Sequence, residues 1–118
     1  MEDKDKRIYN MVFGEVYPHY VSKAERKGQS KGAVDDIICW LTGYDKDGIE
    51  RQVDRGVSME VFFEEAPSMN PDAVLIKGSI CGYKVQEITE PLMKKIRWMD
   101  KLVDEVAKGK GIEKIIKK

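Results

Sequence analysis

The sequence has few of the residues that usually hold metals or cofactors. Among 118 residues there are two cysteines and one histidine, and Cys39, Cys81 and His19 do not follow the close spacing of zinc sites. The glycines fall where helices are expected to end, so they do not form a phosphate-binding loop. The sequence therefore predicts no metal, no cofactor and no nucleotide hydrolysis.

Long apolar runs, a targeting signal and a net charge are also absent. The aliphatic run at residues 73–76 is far shorter than the ~20 residues of a membrane-spanning helix, and residues 1–6 are too charged for a secretory signal. The 21 basic and 21 acidic side chains cancel, which removes the field expected of proteins that hold nucleic acid by phosphate neutralisation. Two distant cysteines are expected to stay reduced. We expect a soluble cytoplasmic protein without a membrane partner.

Apolar residues do occur at the spacing of amphipathic helices. A stripe that recurs at steps of three and four residues predicts one buried helix face. It is too short for a coiled coil, so core packing is the better interpretation. We predict an all-α fold, a small orthogonal bundle of about six or seven short helices in one domain, residues 1–118, whose ends at 1–7 and 111–118 can fray. The stripes are Val34, Ile37, Ile38 and Leu41, and then Leu92, Ile96, Met99, Val103 and Val106.

Prolines and capping residues predict where these helices begin and end. Pro18 suits the first turn of a helix, so a kink or a new helix is expected there, after an amphipathic stretch at residues 9–16. Asp47 and Glu50 resemble a capping box. Residues 79–86 follow no single period, and a short extended segment is predicted there. Expected N-caps are Ser30, Ser58 and Asn70, and expected helix ends lie at Gly28, Gly43, Gly56, Gly78 and Gly109.

Several strings of the sequence are similar to those of one bacterial family. They are Tyr17-Pro18-His19-Tyr20-Val21, Lys23-Ala24-Glu25-Arg26-Lys27-Gly28, Val34-Asp35, Trp40-Leu41-Thr42-Gly43-Tyr44, Glu65-Ala66-Pro67, Met69-Asn70-Pro71, Leu75-Ile76-Lys77-Gly78, Cys81-Gly82, and Pro91-Leu92-Met93 through Asp100-Lys101-Leu102. Together they resemble the family catalogued as domain of unknown function 2200, over nearly everything after the first half-dozen residues. The resemblance implies an all-helical fold. It implies no reaction and no site residue, because none has been assigned to the family.

His19 and Cys81 are the candidates for catalysis. A lone imidazole that titrates near neutrality can act as a general base, and a thiolate is a nucleophile when a base lies beside it. The sequence does not show that the two meet. A helix-terminal histidine with a satisfied hydrogen bond and a buried cysteine are the ordinary alternatives, and Cys39 fits a core role better still. An enzyme is therefore the less favoured interpretation.

A second set of residues is the candidate for a small-molecule site. Aromatic rings supply apolar area while hydroxyl and amine groups set orientation, so such a set suits an anionic or planar ligand. Trp40 and Tyr44 also fit core positions with one satisfied polar atom. The candidates are Tyr17, Tyr20, Lys23, Trp40, Thr42 and Tyr44, joined by His19 and Cys81.

A nucleic-acid hypothesis comes from residues 18–27 and 30–42, which have the arrangement of a helix-turn-helix around Gly28. The presumed recognition helix would expose Asp35 and Asp36, which repel phosphate. A helix-helix corner in a bundle gives the same pattern. DNA binding is therefore only a second alternative.

Charge is distributed unevenly along the chain. Residues 45–65 hold seven acidic and three basic side chains, residues 22–31 hold four basic and one acidic, and the end after Glu105 is basic. Opposite patches can pair between copies or receive a charged protein partner, although exposed pairs each contribute little. The leading hypothesis is a non-catalytic protein-interaction or regulatory module, with a small-molecule-binding protein or an enzyme that uses His19 and Cys81 as the alternative.

Overall fold

The computed structural model of the protein describes residues 3–80 and 82–116. Within them the chain forms seven α-helices, two 3₁₀ helices and one two-stranded hairpin, which confirms the predicted all-α bundle. The helices are α1 (Asp3–Tyr9), α2 (Phe13–Arg26), α3 (Lys31–Thr42), α4 (Lys46–Arg55), α5 (Met59–Glu64), α6 (Pro91–Ala107) and α7 (Ile112–Ile116). The strands are β1 (Ser79–Ile80) and β2 (Tyr83–Lys84), and the 3₁₀ helices are Pro71–Leu75 and Val85–Glu87.

Helix α6 is the element around which the others pack. It contacts α1, α2, α3, α5, α7 and the hairpin. Its predicted apolar stripe lies in the core: Ile96, Met99, Val103 and Val106 are buried and Leu92 is half-buried. Burial of each such side chain contributes about 1.5–3 kcal/mol, so α6 is stabilised by packing within its own chain.

Pro18 does not interrupt the chain as predicted, because α2 runs through it. The break falls at residues 10–12, where Phe13 donates its N–H to the Val57 carbonyl at 2.9 Å and Met59 donates to the Met11 carbonyl at 2.8 Å. An interior proline costs a helix ~3 kcal/mol. Phe13 and Tyr20, buried on either side of Pro18, supply packing that offsets this cost. The expectation of a new helix at Pro18 was therefore wrong, while the alternative of a kink there stays a prediction.

Most predicted helix starts are confirmed by their hydrogen bonds. Ser30 accepts from the Ala33 N–H and Ser58 from the Val61 N–H, both at 3.1 Å. The capping box at Asp47 was wrong, because the cap of α4 is Asp45, which accepts from the Gly48 N–H at 2.6 Å. An aspartate two residues earlier satisfies the same orphan donors, which leaves Asp47 in the first turn.

The carbonyl end of α3 is closed by a segment that follows α5. The Ser68 N–H donates to the Thr42 carbonyl at 3.0 Å, and the Asn70 N–H donates to Leu41 at 2.9 Å. Gly43 makes this approach possible: its φ is +81°, and a Cβ there would lie 2.7 Å from the Ser68 nitrogen. The same segment starts the short helix predicted at Asn70, although that helix is 3₁₀ and ends at Leu75, before Gly78.

The predicted extended segment is the β1–β2 hairpin, in which Ser79 pairs with Lys84 and Ile80 with Tyr83. A buried lysine of α6 fixes its base, since Lys101 Nζ donates to the Ser79 carbonyl at 3.2 Å. Cys81 lies between the two strands in sequence and outside the described residues. Two side chains near the C-terminal end, Ile115 and Ile116 in α7, are buried.

Candidate functional site

Tyr17, a predicted ligand-binding residue, is bonded inside the bundle. Its hydroxyl donates to the buried carboxylate of Asp35, which Lys31 also binds at 3.0 Å. Burial, together with the bond to Asp35, raises the pKa of the Tyr17 phenol. The hydroxyl is therefore protonated at neutral pH, and it already donates its hydrogen bond to Asp35.

Tyr20 and Lys23 lie on the part of α2 that faces α6, and each binds an acidic residue of α6. The Tyr20 hydroxyl donates to Asp100, and Lys23 Nζ lies 2.9 Å from an Asp104 oxygen. Tyr20 also lines a cavity of about 200 Å³ that Ile96 and Met59 help to form. These two residues therefore connect α2 to α6.

Thr42 and Tyr44 are parts of the buried framework. Thr42 Oγ1 donates to the Ile38 carbonyl at 2.8 Å. The Tyr44 hydroxyl donates to the Phe62 carbonyl at 2.7 Å and accepts from Gln52 Nε2 at 2.8 Å. Tyr44 also borders a cavity of about 440 Å³ beside α4. The Tyr44 hydroxyl thus connects α4 and α5 beside the end of α3, while Thr42 is bonded at that end.

The remaining predicted residues lie apart from this framework. Trp40 is half-buried in the wall of a cavity of about 380 Å³, and Cys39 is half-buried against the core, where burial raises the pKa of its thiol. His19 is exposed on α2, and Cys81 lies outside the described residues. Tyr20, Trp40 and Tyr44 thus line three separate cavities.

The second helix of the predicted helix-turn-helix is α3, and most of its surface is covered by the bundle. Of the twelve residues of α3, only Lys31 and Asp36 are exposed. The helix packs against α2, α4 and α6. A recognition helix must present a face to the DNA groove, and α3 presents little surface for that purpose.

The basic stretches found in the sequence meet at the C-terminal ends of α2 and α6. Asp104 pairs with Lys23 at 2.9 Å and with Lys108 at 3.1 Å, and Glu105 Oε2 lies 2.6 Å from Lys110 Nζ. Burial raises the pKa of Glu105, but hydrogen bonds from Lys101 and Lys110 outweigh it and lower the pKa to about 2. Much of this positive charge is thus balanced within the chain.

A different region contains a cavity that is larger than those beside Tyr20, Trp40 and Tyr44. It has a volume of about 550 Å³ and lies between α1, the hairpin and the first turns of α6. The smaller cavity beside Tyr20 adjoins it, since Ile8 and Arg97 line both. We call the two cavities together the α6 groove. Its walls are formed by Ile8, Tyr83, Ile88, Met93 and Arg97 around the larger cavity and by Met11, Ile96 and Asp100 around the smaller one.

Arg97 is the charged residue at the junction of the two cavities. Its side chain is only 12% exposed, and Nη1 donates to Asp100 at 2.9 Å. The guanidinium lies over the Tyr83 ring, 5.4 Å from its centroid. Its Nε is buried without a hydrogen-bond partner among the described residues. A buried donor left unpaired is costly, so Arg97 has hydrogen-bonding capacity that the fold does not use.

Glu90 in the wall of the groove, in contrast, accepts two hydrogen bonds from the fold through one of its oxygens. Its Oε2 caps α6 by accepting from the Met93 N–H at 2.7 Å, and it accepts from the Tyr9 hydroxyl at 2.6 Å. The Met93 N–H and the Tyr9 hydroxyl lower the pKa of Glu90. The residue is therefore a structural carboxylate that stays ionised near neutral pH.

Apolar side chains are exposed at both parts of the groove. Tyr83 is 42% exposed in the larger cavity and Met11 is 46% exposed in the smaller one. Large apolar residues exposed in the walls of adjoining cavities are candidates for a binding surface. Val74, at 68% exposed, is not in the wall of either cavity and serves below as a reference.

Comparisons with known proteins place this architecture in a family. The family model described as "Uncharacterized protein conserved in bacteria (DUF2200)" matches residues 7–117. The chain belongs to this family. A solved structure, "Crystal structure of uncharacterized protein SP1917", is 41% identical, with a TM-score of 0.87, and the match covers 99% of this chain and 93% of that chain. No curated protein matches the chain.

Two structural features of this DUF2200 chain concern membranes and metals. Across residues 3–80 and 82–116, none of the helices combines the length and the apolar character needed to cross a membrane. In the same residues no three histidine, cysteine or acidic side chains are grouped as metal ligands.

The α6 groove was not anticipated from the sequence of this DUF2200 chain. Its main residues, Ile8, Tyr83 and Arg97, come from three segments that are distant in sequence. The one available signal was the irregular stretch at residues 79–86, because loops and irregular segments often carry binding residues. Arg97 directly follows Ile96 of the apolar stripe, so the periodicity predicts an ordinary charged residue on the helix surface.

Proposed function

We propose that this protein is a non-catalytic interaction module, and that the α6 groove binds an extended segment of a partner protein. The observation that carries the proposal is the continuity of the two cavities past Arg97, with Tyr83 and Met11 exposed along them. Tyrosine, methionine and arginine are enriched in the centres of protein interfaces. The groove therefore has the composition of a docking surface.

The length of the groove favours a polypeptide segment. It follows α6 from Glu90 to Asp100, and ten residues of α-helix span about 15 Å. An extended chain advances roughly 3.3 Å per residue, so about four or five residues of a partner fit along it. Apolar side chains of that segment would pack against Ile8, Ile88 and Met93.

The lowered pKa of Glu90 favours binding over catalysis in the groove. A general acid or base works best with a pKa near the operating pH, whereas the pKa of Glu90 is displaced downward, away from neutrality. The Tyr9 hydroxyl already donates to Glu90. The enzyme alternative with His19 and Cys81 stays a prediction, and the exposed position of His19 on α2 does not add support to it.

The proposal is tested by selecting binders from a random twelve-residue peptide display library on the full-length chain. Chemical-shift changes in the ¹⁵N-labelled protein then map where the best synthetic peptide binds. We expect the shifts to concentrate at residues 8–11, 83–88 and 93–97. Tyr83→Ala and Met11→Lys should each weaken that peptide at least tenfold, which corresponds to ~1.4 kcal/mol.

Val74→Lys is the matched control, because it adds the same charge at an exposed apolar residue outside the groove. It should leave the affinity of the peptide unchanged. Peptides that bind elsewhere, or that bind Met11→Lys and Tyr83→Ala as well as the original protein, would remove the support for this function. A library that yields no binder would have the same meaning.

A small organic ligand is a second candidate function because the larger cavity, at about 550 Å³, falls within the usual size of ligand sites, roughly 300–1,000 Å³. A fragment library screened by the same chemical shifts separates the two. A small ligand should require Tyr83 and Met93 but not Met11, since Met11 lines the adjoining cavity.

A further inference from the structure

We propose that Arg97 recognises a side-chain carboxylate, from a glutamate or aspartate of the segment that binds in the α6 groove. This inference rests on the proposed function and adds to it the chemistry of the segment. It follows from the balance of hydrogen-bond donors and acceptors in the groove, from the geometry of the guanidinium and from the apolar residues beside it.

The acidic groups of the groove each have a partner within the fold, although Glu87, which is exposed, has only Lys84 Nζ at 4.0 Å. Glu90 accepts two hydrogen bonds, from the Tyr9 hydroxyl and the Met93 N–H. Asp100 accepts from the Tyr20 hydroxyl through one oxygen and from Arg97 through the other. A ligand that offered only donors would have to compete with these internal bonds. The acidic residues therefore do not favour a basic segment.

The donors of Arg97 are not used to the same extent. A guanidinium carries five N–H donors, and its Nη1 bond to Asp100 leaves the edge formed by Nε and Nη2. The Nε on that edge is buried and has no partner among the described residues. A carboxylate fits such an edge with two parallel hydrogen bonds. Arg97 lines both cavities, so a carboxylate bound in the groove lies beside the guanidinium.

The position of Arg97 is fixed by its neighbours. The ring of Tyr83 supports one face of the guanidinium at 5.4 Å, an arrangement that attracts cations to aromatic rings. The pair with Asp100 holds the other end. A preorganised arginine loses less conformational freedom on binding than a mobile lysine does. Arg97 is thus better placed for carboxylate recognition than the exposed Lys84 at the rim.

The surroundings predict what accompanies the carboxylate. Met93 and Ile8 lie in the same wall as Arg97, so an apolar side chain should lie one or two positions from the acidic residue. Lys84, whose Nζ is 4.0 Å from Glu87, adds a second positive charge at the rim. We therefore expect segments in which acidic and apolar residues alternate.

Three panels of blocked octapeptides provide the test. The panels share the same apolar residues and differ only in carrying Glu, Gln or Lys at two fixed positions. With the original protein we expect the Glu panel to bind about tenfold more tightly than the Gln panel, and the Lys panel to bind most weakly. On adding Glu peptides, the ¹H–¹⁵N resonance of Arg97 Nε should shift, which a purely structural arginine would not show.

Variants separate recognition from folding. Arg97→Gln should abolish the difference in affinity between the Glu and Gln panels. Arg97→Lys should reduce that difference from about tenfold to about threefold, and Lys84→Gln should keep most of it. Circular dichroism establishes that each variant is folded. If Arg97→Gln does not fold, the Arg97→Lys result and the Nε resonance of the original protein still decide.

Each outcome has one meaning. If the Glu and Gln panels bind equally well in the groove, the carboxylate inference is overturned while the proposed function stands. If the preference for Glu survives in Arg97→Gln, or stays undiminished in Arg97→Lys, another residue recognises the acid and the inference fails. If none of the panels binds and no resonance of the groove shifts, the inference and the proposed function fail together.

Discussion

The two halves of α6 use charged residues in opposite ways. In the C-terminal half, Lys101 and Glu105 are 8% and 6% exposed and pair at 2.8 Å, and the surrounding lysines complete the network. In the N-terminal half, Arg97 has one ion pair and a buried Nε without a partner among the described residues. The side chains that pack against a charged residue of an amphipathic helix therefore decide its role. They either use all of its hydrogen-bonding capacity within the fold or leave part of that capacity for a ligand.

The largest expected effect is at Glu105. Glu105→Gln leaves the buried Lys101 without its counter-charge, and such changes cost ~3 kcal/mol or more. Urea denaturation monitored by circular dichroism measures the free energy of unfolding. Glu87→Gln, at an exposed pair with Lys84, is the control and should cost less than ~1 kcal/mol. Equal losses in the two variants would mean that the Glu105 network is no more structural than a surface pair.

Acidification should lower the free energy of unfolding through the same Glu105 network. The pKa of Glu105 is about 2 in the folded protein, below its ordinary value of 4.5, so the unfolded chain takes up the proton more readily. Its stabilisation is complete above about pH 4.5 and is lost as the pH falls toward 2. Urea midpoints measured between pH 6 and pH 2.5 should fall more steeply for the original protein than for Glu105→Gln. Parallel curves would contradict the assignment.

Tyr44 and Tyr83 extend the comparison to tyrosines. Tyr44→Phe removes a hydroxyl bonded to the Phe62 carbonyl and to Gln52, which leaves buried polar groups unpaired at a cost of about 1–3 kcal/mol. Tyr83→Phe changes an exposed residue of the groove and should alter the free energy of unfolding by less than ~0.5 kcal/mol. Thermal and urea unfolding of both variants check the difference, and a reversed order would contradict it.

Arg97→Gln should have a smaller effect on stability than Glu105→Gln. It removes the pair with Asp100, but Asp100 keeps the Tyr20 hydroxyl and the unpaired Nε is removed as well. Because the side chains of this pair are only 12% and 17% exposed, we expect a loss of about 1–2 kcal/mol, measured by urea denaturation beside Glu105→Gln. A loss as large as that of Glu105→Gln would mean that Arg97 is a structural residue like Lys101.

Local sequence signals predicted the features that depend on neighbours along the chain. The stripe on α6 and the caps at Ser30 and Ser58 are of this kind, since each needs only residues three or four positions away. Pro18 was misjudged because the hydrogen bonds that locate the break, between residues 11–13 and 57–59, join distant segments.

The candidate site depended still more on distant contacts. The polar aromatic residues between Tyr17 and Tyr44 looked available in sequence, but the acids and carbonyls that bind them lie on other elements, such as Asp100 and the Phe62 carbonyl. The α6 groove was missed for the converse reason. Its residues come together only when α1 and the hairpin pack on α6, which no local period encodes.

The bridge between residues 11–13 and 57–59 has a consequence for the order in which the protein folds. Most contacts in a helical bundle are local and form early, whereas this bridge closes a loop of more than forty residues, and closing such a loop is slower. The corner between α1 and α2 therefore depends on the completion of α4 and α5. Since α1 supplies Ile8 to the α6 groove, we expect the groove to be among the last parts of the molecule to form. Pulsed hydrogen exchange of the Phe13 and Met59 amides during refolding would time this step.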